Sequence, residues 1–201
     1  MPRRVAVYGA GGHAKVVWDI LTAAGDAVVG FVSDAPAAQP LLGLPVVAAR
    51  EALPPHDGVV VAIGDNAARR RVFEALRAAG VPLLTAIHPR AVVAGRVTLG
   101  EGVMVAAGAV INLDTEVGAN AIVNTGATLD HDNRLGAHAH VAPGCHLAGG
   151  VTVEEGAFLG VGTVAIPGIR VGAWARTGAG AVLVRDVAAD SLVVGVPARS
   201  R

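Results

Sequence analysis

Three neighbouring residues, Asp130-His131-Asp132, carry the clearest chemical signal in this chain. A neutral imidazole accepts a proton near neutral pH, and a carboxylate bonded to its ring fixes the tautomer and raises its basicity. The triplet therefore suits proton removal from an attacking nucleophile, although taken alone it is equally a solvated turn. His140 follows nine residues later and could share that chemistry or lie on the surface. His138 and His146 match no pattern and are expected to be exposed. Several close histidines raise the question of a metal, but no cysteine or acidic spacing supports a closed site, so none is expected.

A second signal lies near the start. Gly9-Ala10-Gly11-Gly12-His13-Ala14 follows a short apolar run at residues 5–8 and opens a segment of helical spacing. Backbone N–H groups at such a strand-to-helix turn hold a pyrophosphate. Asp34 closes a second apolar run about twenty residues later, where a carboxylate would meet a ribose or a base edge. Gly64, in Ala62-Ile63-Gly64-Asp65-Asn66, sits at a third strand's C-terminal end and faces the same crevice. The pattern could be a dinucleotide fingerprint, but about 88 residues supply only half of a doubly wound fold, and no hydride-transfer site is evident.

The elements that must position these groups fall into two halves. Residues 1–88 alternate strands (5–8, 28–32, 58–63, 81–87) with helices (13–24, 67–79), the second capped by Asp65 or Asn66. That order predicts a small Rossmann-like α/β domain with a parallel sheet. Residues 89–201 obey a six-residue period instead. From Val93 to Leu183, sixteen positions spaced by six are Val, Leu or Ile in all but two cases, Ala165 and Thr177. Four residues after each comes a mostly small side chain, such as Ala109, Ala127, Asn133, Ala139 or Cys145.

A period that short suits one flat side of a parallel β-solenoid, with the large aliphatic inward and the small residue at a corner. Three sides would make eighteen-residue coils, about five of them; the periodicity fixes neither the number of sides nor the hand, for which right-handed is the default. Glycines after the inward aliphatic, such as Gly118 and Gly136, are expected where the backbone bends. Cys145 occupies a packing corner, which argues against a nucleophilic role.

The composition agrees with a layered aliphatic core: 53% of residues are hydrophobic but only 3% aromatic. Sixteen basic and sixteen acidic residues cancel, so nothing favours nucleic-acid binding. A single cysteine excludes an internal disulfide and fits a reducing compartment. The N-terminal apolar stretch is too short for a signal segment or membrane span, so the chain reads as cytoplasmic.

With these features the sequence resembles the hexapeptide-repeat acyltransferases, in the branch of sialic-acid O-acetyltransferases and nucleotide-sugar 4-N-acetyltransferases of the bacillosamine and perosamine type. The residues that carry the likeness are Tyr8-Gly9-Ala10-Gly11-Gly12-His13-Ala14-Lys15-Val16-Val17, Asn124-Thr125-Gly126-Ala127-Thr128-Leu129-Asp130-His131-Asp132 and Val194-Gly195-Val196-Pro197-Ala198-Arg199. The resemblance implies a left-handed β-helix, against the general default, and a homotrimer with sites between subunits. It implies acetyl transfer from acetyl-CoA, without a metal, to the amine of a nucleotide-linked 4-amino-4,6-dideoxy sugar. His131 would be the general base and Asp132 its partner, where family members often carry glutamate. His140 would meet the acetyl or thioester group, with Gly149, Val161, Gly178, Ala179 and Gly180 along coenzyme A. The first domain would hold the nucleotide-sugar through Gly11, Gly12, His13, Asp34 and Gly64, with Asn124 near the amino sugar. An O-acetyltransferase acting on sialic acid, or a non-catalytic nucleotide-sugar scaffold, remains compatible with the same pattern.

Overall fold

The computed structural model describes residues 1–34 and 39–201. The chain divides into two compact units, Met1–Pro89 and Arg90–Arg201.

The first unit follows the alternation of apolar strands and amphipathic helices. Strand β1 (Arg4–Tyr8) leads to helix α1 (Gly12–Ala23), then β2 (Ala27–Val32), β3 (Val46–Val47), β4 (Gly58–Val61) and helix α2 (Asn66–Ala78). The sheet order is β3-β2-β1-β4 and every pairing is parallel. Val5, Ala6 and Val7 of β1 are fully buried, as expected of a strand covered on both faces. Helix α1 buries Ala14, Val17, Ile20 and Leu21 on one side. Asp65 caps α2 by accepting a hydrogen bond from the Ala68 amide at 2.8 Å. The strand expected over 81–87 is broken: Leu83 bridges Val59, and only Ala86–Ile87 forms a further short strand. Pro82 lacks the N–H that would carry the pairing back toward residue 81.

The second unit is a left-handed, three-sided parallel β-helix. Sixteen two-residue strands run from Val92–Val93 to Val182–Leu183, and each up to Val164–Ala165 pairs with the strand eighteen residues on, as Thr98–Leu99 does with Glu116–Val117. One face stacks strands from Thr98–Leu99 to Arg170–Val171. The second runs from Met104–Val105 to Arg176–Thr177, and the third from Val92–Val93 to Val182–Leu183. The second residue of each strand points inward, so Ile111, Val123, Leu129, Val141, Leu147 and Leu159 form one buried column system with the small corner residues. Each inward Val or Leu contributes about 1.5–3 kcal/mol relative to an exposed one. Leu192–Val194 extends the second face and Arg199–Ser200 closes it antiparallel.

The glycines after the inward aliphatic have a different cause from the one expected. A Cβ on Gly118 would lie 2.5 Å from the Ala137 amide nitrogen, and one on Gly136 equally close to that of Glu155. Glycine is needed there because the next coil approaches closely, while left-handed backbone falls elsewhere, at corner residues such as Gly126 and Asp132. Among the described residues no helix is long and apolar enough to cross a membrane, and no group of three His, Cys, Asp or Glu side chains is placed to hold a metal.

Candidate active site

The edge between the third and first faces carries a column of two-residue corners: Leu113-Asp114, His131-Asp132, Gly149-Gly150 and Pro167-Gly168. The second member of each is left-handed, with φ of 59° at Asp132. Aspartate tolerates that conformation better than most residues. It also brings the Asp132 carboxylate alongside its neighbour, Oδ2 lying 2.7 Å from His131 Nδ1. With Nδ1–H donating to Asp132, Nε2 is left as the ring's proton acceptor. Asp130 steadies the turn from the other side: its Oδ1 accepts the His131 amide at 2.9 Å and Asn112 Nδ2 at 3.0 Å.

The electrostatics follow from these contacts. The hydrogen bond to Asp132 raises the His131 pKa above the usual histidine value, and the charge of Asp130 adds to it. The His131 amide, followed by Asn112, holds Asp130 below the ordinary carboxylate range. Both ring and carboxylate stay open to solvent, with side chains 63% and 65% exposed. The arrangement is an outward-facing imidazole whose Nδ1 is held by a carboxylate.

The next coil supplies the floor beneath the imidazole. A Cβ on Gly149 would lie 2.5 Å from His131 Cε1 and 2.7 Å from Nε2. No side chain fits between this backbone and the ring, so Gly149 seats the imidazole.

His140 and Asn124 meet on the second face, Asn124 Nδ2 lying 3.1 Å from His140 Nε2 with both residues buried. The Phe158 ring packs edge-on against His140 at 5.2 Å between centroids. Val161 is exposed at the edge between the second and third faces, where Ala179 and Gly180 form the corner one coil later in the same column. The Gly178 position sits against Val194, whose Cγ1 a Cβ would approach to 2.8 Å. Within one chain, then, His131 and Gly149 lie on one edge of the prism, and the remaining expected coenzyme A residues lie on the second face or its other edge. His138, expected to be exposed, is buried: its Nδ1 meets Asn120 Nδ2 at 2.8 Å, pairing two stacked corner residues. His146 is exposed, beside Thr128 Oγ1 at 2.9 Å. Cys145 is buried with its thiol directed at the Gly160 carbonyl, and burial pushes its pKa up to about 11.

In the first unit, Gly11, Gly12, His13, Asp34 and Gly64 all line one cavity of about 460 Å³ at the C-terminal ends of β1, β2 and β4. Gly11 N-caps α1, and no side-chain cap covers the helix's first amides. A Cβ at Gly11, Gly12 or Gly64 would meet nothing within 4 Å, so packing does not explain these glycines. Gly9 differs, having φ of 123° and the Ala62 carbonyl 2.5 Å from where its Cβ would stand. Tyr8 donates to Asp34 Oδ1 at 2.8 Å and so aims that carboxylate. Burial, helped by the nearby Arg69 charge, lowers His13 to about 4, leaving it neutral at physiological pH. Arg69, itself buried, donates from Nη1 to the carbonyls of Ile63 and Gly64 and to Asn66 Oδ1, bracing the second loop of the cavity. Sequence reasoning missed Arg69, Tyr8 and Asn112; an arginine inside an otherwise amphipathic helix was the available signal for the first. A larger groove of about 660 Å³ over the first face, along Glu116, Arg134 and Thr152, holds none of the expected residues.

A short-period, three-sided parallel β-helix with an exposed, carboxylate-bonded histidine is the architecture of the hexapeptide-repeat acyltransferases. Residues 4–76 match the family model described as the PglD N-terminal domain. Perosamine N-acetyltransferase from Caulobacter crescentus, solved as a histidine-to-asparagine variant with CoA and GDP-perosamine, is 48% identical; the match covers 98% of this chain and 96% of that one, with a TM-score of 0.94. The acetyltransferase domain of PglB from Neisseria gonorrhoeae, in complex with acetyl coenzyme A, is 35% identical over 100% of both chains, with a TM-score of 0.92. A curated UDP-N-acetylbacillosamine N-acetyltransferase from Bacillus subtilis (strain 168) is 35% identical over 112 residues, which span about half of either protein. The chain belongs to the nucleotide-sugar N-acetyltransferase family of the bacillosamine and perosamine type.

Proposed function

We propose that this chain moves acetyl from acetyl-CoA directly onto the amine of a nucleotide-linked 4-amino-4,6-dideoxy sugar, with His131 as general base. The observation that carries the reading is the solvent-open imidazole with Nδ1 bonded to Asp132 at 2.7 Å and Nε2 left to accept a proton. An ammonium cannot attack a thioester, so the nitrogen must lose a proton on the way to the amide. As the amine attacks the thioester carbonyl, His131 Nε2 takes that proton. The tetrahedral oxyanion collapses, the C–S bond breaks, and CoA thiolate leaves to be reprotonated, giving the N-acetyl sugar and free CoA. Asp132 stabilises the imidazolium formed in between. Cys145, buried and with its thiol held protonated, is not suited to carry an acyl group, which supports direct transfer.

The cavity holding Gly11, Gly12, His13, Asp34 and Gly64 would take the nucleotide-sugar. Its pyrophosphate would sit at the α1 N-terminus and its ribose or base at Asp34. Coenzyme A would lie along His140, Gly149, Val161, Gly178, Ala179 and Gly180, with Asn124 close to the amino sugar. Because these residues fall on different edges of one prism, the reading includes a homotrimer in which neighbouring subunits complete each site. It also places the enzyme in the cytoplasm, where acetyl-CoA and nucleotide-sugars are made.

The test measures thiol release from acetyl-CoA with GDP-perosamine, a UDP-linked 4-amino sugar and free sialic acid as acceptors. Turnover with an amino-sugar nucleotide, and a kcat at least about 100-fold lower in His131→Ala, is the expected result. Preference for sialic acid would reassign the acceptor to a hydroxyl. Binding without turnover would make the chain a scaffold.

A further inference from the structure

We infer that Asn133, sealed inside the β-helix, is the positioning residue that holds the His131 turn at its working distance from the Gly149 floor. The inference rests on the reading of His131 as the base.

Asn133 is fully buried at an inner corner otherwise filled by apolar or small side chains; Thr115, Asn133, Val151 and Ile169 stack there at intervals of one coil. Its Nδ2 lies 2.6 Å from the Asp130 carbonyl, 3.0 Å from the Ala148 carbonyl and, more loosely, 3.4 Å from that of His131. All three neighbours are acceptors, which fixes the orientation of the amide: turned over, Oδ1 would face three carbonyls. The consequence is a buried Oδ1 with no hydrogen-bond partner. Such an orphan is destabilising, and an apolar residue would pack the corner without it. What the amide achieves is a tie between two places. Two of its acceptors flank the base on one coil, and the third immediately precedes Gly149 on the next.

Other corners of this chain make each half of that tie separately. Thr163 Oγ1 donates to the carbonyl three residues back, Gly160, at 2.7 Å. Thr115 Oγ1 donates to the carbonyl fifteen residues on, Asp130, at 3.0 Å. Asn133 makes both bonds at once, three residues back and fifteen on, beneath the imidazole. The Asp130 carbonyl thereby receives two side-chain donors, from Thr115 below and Asn133 beside it.

Asn133→Val is the informative variant, because Val151 fills the same corner one coil on. The expected result is an acetyl-CoA KM nearly unchanged and a kcat lower by about tenfold or more, with a cooperative thermal melt showing that the variant folds. NMR titration of the His131 ring should show its pKa falling toward the ordinary histidine value as the bond to Asp132 loosens. Asn133→Thr restores the bond to the carbonyl three residues back, as at Thr163, and should recover part of both losses. Wild-type kcat together with an unshifted His131 titration in Asn133→Val overturns the inference. The two readings fail separately. Full activity in His131→Ala removes the base, yet the ring titration still reports whether Asn133 positions it.

Discussion

Replacing Gly149 by alanine separates a seat for the base from a glycine needed by the fold. The added methyl carbon would stand 2.5, 2.7 and 3.1 Å from Cε1, Nε2 and Nδ1 of His131. Carbon atoms in contact rest about 3.5–4.0 Å apart, so the ring must retreat by about 1 Å. The bond from Nδ1 to Asp132 is 2.7 Å long, and a displacement of that size carries it past hydrogen-bond range. A 1 Å misplacement of a reacting group costs on the order of 100-fold in rate, or about 2.7 kcal/mol of barrier. Stability should hardly change: Gly149 is not left-handed, and the three atoms met all belong to a movable side chain. The assay is kcat for thiol release at saturating acetyl-CoA, beside a thermal melt. Unchanged kcat would refute the reasoning. So would a rise in acetyl-CoA KM alone, which would mean that the methyl meets the coenzyme rather than the imidazole.

Three further outcomes follow from the first unit. Gly12→Ala should keep the wild-type melting temperature and weaken binding of GDP-perosamine or its UDP-linked counterpart by calorimetry, because its Cβ faces open space at the helix N-terminus. Gly9→Ala should instead destabilise the fold, since backbone stands where its Cβ must go. The neutral His13 makes the protein acid-sensitive. Its folded pKa of about 4 lies below the unfolded value near 6.5, so the unfolded chain binds the extra proton between them. The His13 contribution is fully present above pH 6.5 and is lost as pH falls toward 4. Melting curves of His13→Gln should show a shallower decline than wild type across that window; parallel declines would count against it.

The architecture was largely legible because periodicity states burial directly. The aliphatics at every sixth position entered the core in phase, from Ile111 to Leu183. Helix boundaries fell within one residue of the pattern, as at α1 (Gly12–Ala23). Strand β3 (Val46–Val47) was not anticipated, since two valines after a proline carry no alternation to read. The site was legible in its residues but not in its contacts. Gly149 was read for its backbone alone, because its partner His131 is eighteen residues away and becomes a neighbour only once the coil length is known. Asn133 was read as one more member of the corner series, and three carbonyls converging on its amide are invisible in a single sequence. His138 was expected outside because it matches no pattern; its pairing with Asn120 one coil away accompanies its burial.

The unbroken register of eighteen residues also sets the unit in which such a chain can change length. Deleting six residues would carry every later side chain round to a different wall and separate columns that now align. Deleting eighteen would remove one storey of about 4.8 Å, the spacing of neighbouring strands, and leave all the columns intact. Length should therefore vary in whole storeys, while shorter insertions are confined to loops that bulge away from the prism.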